Sequence, residues 1–186
     1  MDTSPGSGAI MLRRGVLFAG LLLTAWTMAL EFAHVLEWAP KAHYPGWLYA
    51  RLQESLYVWF GNIGSVLEVL AVIVGVALAI LARHDRASRG LLASAAGLEV
   101  IALIVFLTVV YPVNFQFPVH GFDAVPPDWA ALRNRWELGH AVGFVLFTTA
   151  FILLLITALR PPTRHLTPQR ADDAKPAPPL RQPESQ

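Results

Sequence analysis

The chain has 186 residues, of which 55% are hydrophobic and only 15% are charged, and its mean hydropathy is +0.48. Because a soluble domain carries about 25% charged residues, this is the composition of a membrane protein. The formal net charge of +1 implies no nucleic-acid partner, and the absence of cysteine excludes disulfides and thiol redox chemistry.

Four stretches are nearly free of charge over about 20 residues, the length that a helix needs to cross a hydrocarbon layer. In lipid the backbone must satisfy its own hydrogen bonds, so these stretches are predicted to be helices. They lie at about residues 15–38, 57–82, 90–113 and 138–159. The sequence therefore predicts an all-α, four-helix transmembrane up-and-down bundle over residues 13–160. The polar segments 1–12 and 161–186 are predicted to be disordered tails.

The basic residues predict the orientation of this bundle. Ten of the 14 Lys and Arg residues flank the termini and the loop between the second and third helices, and four lie in the other two loops. The positive-inside rule then places both termini in the cytoplasm. The protein is predicted to be a multi-pass protein of the cell (inner) membrane, with the lipid bilayer as its surroundings. Five tryptophans suit an aromatic belt at the outer surface: Trp38, Trp47, Trp59, Trp129 and Trp136.

The first helix carries polar residues at steps of three and four. Thr24, Thr27, Glu31, His34 and Trp38 form one stripe, which must face the bundle interior because ionisable side chains are costly in hydrocarbon. The other helices carry Asn62, Glu68, Glu99, Glu137 and His140. His34 and His140 lie at similar depth on antiparallel helices. They are predicted to face one polar cavity with Glu31 within reach.

The inventory of buried polar residues is similar to that of a ferritin-like dinuclear metal site, with Glu-x-x-His at Glu31/His34 and Glu137/His140. At about 1.5 Å rise per residue, Glu68 and Glu99 lie nearer the midplane, which disfavours a six-ligand site. A smaller site of His34, His140 and Glu31, near Asn62 or Glu137, suits iron, copper or zinc. His34 and His140 could instead be axial ligands of a haem, or these side chains could merely hydrogen-bond one another.

Glycine spacing predicts close helix packing in the fourth helix. Gly139 and Gly143 are four residues apart and flank His140. Small residues at this spacing let helix backbones approach where no hydrophobic effect drives helices together. We expect this face of the helix to contact a neighbour.

The third loop and the start of the fourth helix resemble a known family. The residues that carry the resemblance are Tyr111-Pro-Val-Asn114, Asp128-Trp129, Leu132-Arg133, Arg135-Trp136 and His140. They resemble the anthrone-oxygenase-like membrane family, known as domain of unknown function 1772. The segment His34-Val-Leu-Glu37-Trp-Ala-Pro40-Lys41 is similar to a segment that some members carry at the end of the first helix. The resemblance covers about residues 15–160.

The resemblance implies a four-helix bundle and a set of binding positions. These positions are Asn114, Trp129, Arg133, Trp136 and His140, with His34 and Glu37 joining them. A few members are associated with the oxygenation of anthrones to anthraquinones. Many members carry an Arg a few residues after the histidine of the fourth helix, where this chain has Gly143 and Phe144.

Three hypotheses of function follow. The first is an oxygenase or oxidoreductase acting on an apolar aromatic substrate, with His34 and His140 as metal ligands or proton carriers, Glu31 and Glu37 as their carboxylate partners, and Arg133 as a substrate or oxyanion binder. In a cofactor-free variant, a histidine deprotonates a phenolic substrate. The second is a non-catalytic membrane subunit or partner-binding protein, with protein partners that the sequence does not name. The third is a small transporter or proton relay through Glu31, Glu68 and Glu99.

Overall fold

The computed structural model describes residues 5–117 and 125–160, and within these ranges it contains helices and no strand. The elements are α1 (Pro5–Lys41), α2 (Gly46–Ser55), α3 (Tyr57–Leu81), α4 (Arg89–Val105), a π-helix (Phe106–Val110), α5 (Tyr111–Asn114) and α6 (Trp129–Leu159). Four helical stretches are long and apolar enough to cross a membrane: Ile10–Lys41, Tyr57–Leu81, Arg89–Asn114 and Trp129–Leu159. The predicted all-α four-helix bundle is confirmed, and the chain is a multi-pass membrane protein.

The four spans pack in a ring, in which α1 and α4 each contact both α3 and α6. We call the end at which α1 ends and α6 begins the upper end, and the end with the loop between α3 and α4 the lower end. Arg13 and Asp85 form an ion pair of 2.6 Å at the lower end. Arg160 donates there to the carbonyl of Ala87.

Two predicted boundaries differ from the structure. Helix α1 begins at Pro5, so residues 5–12 are helical rather than part of a disordered tail; proline is favoured at the first helical position, where its missing N–H leaves no hydrogen bond unmade. Helix α6 begins at Trp129 rather than at about residue 138, and Asp128 at its N-cap position makes no capping hydrogen bond with its side chain. The predicted tails at 1–4 and 161–186 lie outside the described residues, as do residues 118–124 of the third loop.

The short helix α2 was not predicted. Pro45 precedes it with an extended backbone, and Tyr49, Ala50 and Gln53 form its buried face at the upper end. Gly46, its first residue, faces α6: a Cβ there would lie 2.9 Å from atoms of Val125 and Trp129. The absence of a side chain at Gly46 therefore lets α2 pack closely against the start of α6.

The core changes in character along the bundle axis. The upper cluster is largely aromatic and includes Tyr49, Tyr57, Phe117 and Trp136. The lower cluster is aliphatic, and its buried members are Leu78, Ala82, Leu92, Ala95, Ala150 and Leu154. The polar stripe of α1 runs between them. Thr24, Thr27, Glu31 and His34 are buried as predicted, each at most 8% exposed, whereas Trp38 is only partly buried.

The third span departs from α-helical geometry near the upper end. Pro112 has no N–H and so cannot donate to the carbonyl of Thr108, four residues earlier. Arg135 of α6 donates to that carbonyl instead, at 2.7 Å. Gly139 allows the approach, because a Cβ there would lie 2.5 Å from Cγ2 of Val110. The predicted close packing at Gly139 is confirmed, with the π-helix as the neighbour.

The predicted aromatic belt is correct only in part. Trp47 and Trp59 lie at the upper end and are 61% and 68% exposed. Trp136 is only 2% exposed, so its assignment to the belt is wrong. Its position on the inward face of α6 places it in the core, beside the predicted histidine site.

Candidate functional site

His34 on α1 and His140 on α6 face each other inside the upper half of the bundle. Their ring centroids are 4.2 Å apart, and both residues are buried. Oε2 of Glu31, on the same face of α1, lies 2.8 Å from Nδ1 of His140. The prediction that the two histidines share one site, with Glu31 within reach, is confirmed.

The carboxylate of Glu31 orients the ring of His140. When Glu31 is ionised, its carboxylate can only accept, and the contact is then a hydrogen bond donated by Nδ1 of His140. Nε2 then holds the lone pair, and this buried atom has no hydrogen-bond partner within residues 5–117 and 125–160. Serine-protease triads use the same arrangement to make one imidazole nitrogen a proton acceptor. Paired with an ionised Glu31, His140 is therefore arranged to accept a proton at Nε2.

Gly143 provides the space that the Glu31 carboxylate occupies. It follows His140 by about one turn of α6, and a Cβ at this position would lie 3.0 Å from both Cδ and Oε2 of Glu31. The two predicted packing glycines therefore serve different neighbours. Gly139 receives the π-helix, whereas Gly143 receives the carboxylate that holds His140.

Aromatic side chains surround the histidine pair. The ring of Trp136 lies 4.6 Å from that of His34 and 4.2 Å from that of His140, and its plane is nearly perpendicular to both. Tyr57 and Phe60 of α3 flank His34 at 5.1 and 5.5 Å. The histidines thus lie in surroundings of low dielectric constant, where charge interactions are stronger than in water.

A small inner cavity adjoins the histidines. Its volume is about 30 Å³, which is room for a water molecule. Six of the residues that line it matter for the chemistry: Glu31, His34, Glu68, Asn114, Trp136 and His140. Glu68 was expected at a deeper level than Glu31. Because side chains lean toward the N-terminus of their helix, Glu68 on the descending α3 leans up and Glu31 on the ascending α1 leans down.

A larger groove of about 330 Å³ lies next to the inner cavity, between α3 and the segment formed by the π-helix and α5. The residues shared by the two spaces are Tyr57, Gly61, Ser65, Phe106 and Asn114. Tyr111 and Phe115 also line the groove and are 45% and 53% exposed on the flank of the bundle. In a membrane this groove connects the surrounding lipid with the wall of the histidine site.

The groove also carries polar groups. Asn62 lines it without reaching the inner cavity. Gln53 donates to the hydroxyl of Tyr49 at 2.8 Å, and burial raises the pKa of this tyrosine. The predicted binding residues Asn62 and Asn114 thus belong to one continuous surface, on which Asn114 lies nearer the histidines.

A buried ionic network covers the upper side of the site. Lys41 is 1% exposed, and its Nζ lies 2.8 Å from Oε1 of Glu137 and 3.4 Å from Oε2 of Glu37. This ammonium group also lies 4.9 and 4.8 Å from the ring centroids of Tyr57 and Trp136. Lys41 was not predicted to be a site residue. Its spacing of four from Glu37 on α1 was the available signal.

Glu37 does not act mainly as the partner of His34. Its Oε2 lies 3.8 Å from Nδ1 of His34, which is too long for a hydrogen bond. The same oxygen accepts a hydrogen bond from the hydroxyl of Tyr57 at 2.6 Å. Glu37 therefore links α1 to α3 above the histidines.

Arg133 does not lie in the inner cavity or the groove, so its prediction as an oxyanion binder is not supported. Its Nη1 donates to the carbonyls of Lys41 and Ala42, at 3.2 and 3.1 Å. The last carbonyls of a helix have no partner within the helix, and a guanidinium satisfies them well. The guanidinium also stacks on Trp129, at 5.1 Å from the ring centroid. Both residues therefore hold the end of α1 against α6.

Glu99 forms a separate polar contact below the site. Oγ1 of Thr24 lies 2.8 Å from the carbonyl oxygen of Gly20 and 2.7 Å from Oε1 of Glu99. The threonine hydroxyl has one proton to donate, so both contacts are hydrogen bonds when Glu99 is a carboxylic acid that donates to Thr24. Gly75 lies directly against this carboxyl group.

The predicted metal and haem sites do not fit this geometry. Within residues 5–117 and 125–160 no group of three or more His, Asp or Glu side chains is arranged to hold a metal ion. The six-ligand set is divided, because Glu137 pairs with Lys41 and Glu99 with Thr24. The rings of His34 and His140 are in contact and leave no space for a porphyrin between them. Iron, copper, zinc and haem are therefore not assigned to His34, His140 and Glu31.

Comparison with protein-family models, curated proteins and solved structures finds no match to this chain.

Proposed function

We propose that this protein is an oxidoreductase of the cell (inner) membrane that oxygenates a flat, apolar aromatic substrate after His140 has removed a proton from it. The proposal rests on one observation: a histidine with a carboxylate on Nδ1 and an unpartnered Nε2 lines a cavity. The neighbouring aromatic groove supplies a route by which such a substrate enters from lipid.

The chemistry requires a substrate with an acidic C–H, such as the methylene group of an anthrone. Nε2 of His140 accepts the first proton, and Glu31 stabilises the resulting imidazolium. The carbanion then gives its electrons to dioxygen, the co-reactant. One oxygen atom becomes the new carbonyl and the other leaves as water with the two methylene hydrogens, so methylene plus O₂ gives carbonyl plus water.

His34 is a positioning residue in this proposal. Its ring packs against the rings of His140 and Trp136. These contacts limit rotation of the His140 ring and keep Nε2 directed away from Glu31. The resemblance to the anthrone-oxygenase-like family supports the same substrate class, and it includes His140, Trp136 and Asn114.

A proton relay along Glu31, Glu68 and Glu99 is less well supported. Glu31 and Glu68 line the same cavity, and Glu99 lies deeper against Thr24. Below Glu99 the core is the aliphatic cluster around Leu78 and Leu92, which offers no proton carrier. The polar path enters from the upper end and ends at Glu99 instead of crossing the bundle. Such a path suits a reaction site better than transport.

A non-catalytic membrane subunit is the second candidate. It is favoured by the buried pairs Glu31–His140 and Lys41–Glu137, which both join α1 to α6. Such pairs can fix the register of two helices without taking part in any reaction.

The positive-inside pattern supports an orientation in which the upper end faces outward and both termini face the cytoplasm. The loop residue Ala87, at the lower end, then faces the cytoplasm. Efficient labelling of Ala87→Cys from outside intact cells would contradict this orientation.

The proposed activity is tested with purified protein in lipid nanodiscs, supplied with anthrone under air. We expect anthraquinone to form faster than in empty nanodiscs, with one O₂ consumed per product. Because general-base catalysis contributes about 10²-fold or more, His140→Asn should lose most of this acceleration. Glu31→Gln should lose most of it as well. His43→Asn is the matched control, since His43 is exposed and its Nδ1 bonds to the carbonyl of Ala39. No acceleration by the unaltered protein would favour the non-catalytic subunit.

A further inference from the structure

Asn114 and Trp136 form a hydrogen bond at the wall between the inner cavity and the groove. Nε1 of Trp136 donates to Oδ1 of Asn114 at 2.8 Å. Trp136 is 2% exposed, and a buried indole N–H needs an acceptor. The hydrogen bond therefore joins α5 to α6 and also determines which way the carboxamide of Asn114 points.

The hydrogen bond to Trp136 also determines where the amide nitrogen of Asn114 points. An asparagine carboxamide has one oxygen that accepts and one nitrogen that donates. Once the oxygen is held by Trp136, the Nδ2 hydrogens point away from the indole. Since Asn114 lines both the inner cavity and the groove, this side chain offers a fixed donor to a molecule that occupies them.

Trp136 connects the donor with the proposed base. The ring of Trp136 contacts the ring of His140 at 4.2 Å between centroids. Trp136 thus holds Asn114 on one side and packs against His140 on the other. A flat molecule held in the groove against Asn114 faces the inner cavity that His140 lines.

We infer that Asn114 is the subsite for a substrate oxygen that gains negative charge, held in place by Trp136. The inference rests on the proposed function and narrows its substrate class to phenols and enolisable aromatic ketones. The proton leaves the substrate for Nε2 of His140, and the charge that develops on the oxygen is stabilised by the N–H of Asn114. Donors placed where charge develops are among the strongest contributors to catalysis. Asn114 is then a catalytic residue and Trp136 a positioning residue.

The test uses 2-naphthol as the probe and 2-methoxynaphthalene, which has no ionisable proton, as the reference ligand. Both are titrated into the protein in nanodiscs, and the absorption band of the naphtholate ion reports ionisation of the bound probe. We expect the unaltered protein to bind 2-naphthol more tightly and to show the naphtholate band. Asn114→Leu should weaken 2-naphthol binding by about tenfold or more, as for loss of a charge-assisted hydrogen bond, and leave binding of the ether unchanged.

Two further variants separate the subsite from folding. Asn114→Asp keeps an acceptor for Trp136 but removes the amide donor, so the naphtholate band should be lost although the protein stays folded. Trp136→Phe keeps the ring packing but releases the carboxamide. We expect it to weaken 2-naphthol binding by about threefold, an effect smaller than loss of the donor itself.

The outcomes distinguish this inference from the proposed function. Equal binding of both ligands by the unaltered protein, or unchanged 2-naphthol binding by Asn114→Leu and Asn114→Asp, would overturn the subsite. In either case, loss of anthrone oxidation in His140→Asn would leave the proposed base intact. If anthrone is not oxidised but the Asn114 variants bind 2-naphthol more weakly, the subsite stands as a binding site and the oxygenase proposal fails.

Discussion

Glu31 of α1 and His140 of α6 are joined by a 2.8 Å contact between Oε2 and Nδ1 inside the membrane-spanning part of the bundle. Each group would be unfavourable facing hydrocarbon, and each offsets the cost of burying the other. The contact leaves Nε2 of His140 without a partner among the described residues. This relationship connects the helix packing with the proposed chemistry.

Gly143→Ala should disturb this relationship directly. The added Cβ would lie 3.0 Å from Cδ and Oε2 of Glu31, so the carboxyl group must shift. We expect a loss of about 1–3 kcal/mol in stability, as for other overpacked sites, and at least about a tenfold lower anthrone oxidation rate, because the tautomer of His140 is no longer held. Gly97→Ala is the control, since a Cβ at Gly97 meets no atom within 4 Å. Equal melting temperatures and rates for the two variants would contradict the role of Gly143.

Gly61→Leu should narrow the passage between the groove and the inner cavity. Gly61 lines both spaces, and a Cβ there meets nothing within 4 Å, so the larger side chain occupies open space without disturbing the fold. We expect an unchanged melting temperature and a higher KM for anthrone, whereas Gly97→Leu should alter neither. If KM does not change, substrate does not enter by this groove.

Lys41→Met should be strongly destabilising because it leaves Glu137 buried without its 2.8 Å partner. Removing one member of a buried ion pair typically costs about 3–5 kcal/mol. The double variant Lys41→Met/Glu137→Leu should recover most of this loss. Thermal unfolding in detergent measures the double-mutant cycle, with Arg14→Met on the exposed lower end as the control. Strictly additive effects would mean that the two side chains are not coupled.

The lower end should show a dependence of stability on acid pH. The hydrogen bond from Arg13 lowers the pKa of Asp85 below its ordinary value of 3.8. A lowered folded-state pKa gives stability that is present above the ordinary pKa and is lost as the pH falls through the lowered one. The pair is part-exposed, so the gain at neutral pH should stay within about 1 kcal/mol.

Melting temperatures of Asp85→Asn and the unaltered protein measure this gain. They should differ slightly at pH 7 and converge as the pH falls below the ordinary pKa of Asp85. Adding 1 M salt at pH 7 should also reduce the difference, because exposed ion pairs are screened (Debye length about 3 Å at 1 M). A difference that persists unchanged in acid would contradict the ion pair.

The sequence predicted the features that depend on pattern along a single helix. The charge-free lengths predicted the four spans, and the spacing of Glu31 and His34 predicted a buried stripe. The depth of His140 followed from the same count of residues along its helix. These predictions succeeded because the cost of placing polar groups in lipid is large enough to determine which helix face points inward.

The features that were missed depend on contacts between distant segments. The partner of Lys41 is Glu137, and Arg133 satisfies carbonyls at the end of α1; neither contact follows from local spacing. Helix α2 is a ten-residue amphipathic helix, too short for its periodicity to separate it from a loop. The shared cavity of Glu68 and Glu31 was missed because only the rise of Glu68 along its helix was counted and the direction of its side chain was not.

The proposed base is tested most directly by the proton-transfer step alone, without dioxygen. Anthrone is incubated with the protein in nanodiscs in D₂O under strictly anaerobic conditions, and incorporation of deuterium at the methylene group is followed by mass spectrometry. We expect exchange faster than in empty nanodiscs, loss of most of this acceleration in His140→Asn, and no change in His43→Asn. Exchange that is no faster than in empty nanodiscs, or equally fast in His140→Asn, would contradict the proposed base.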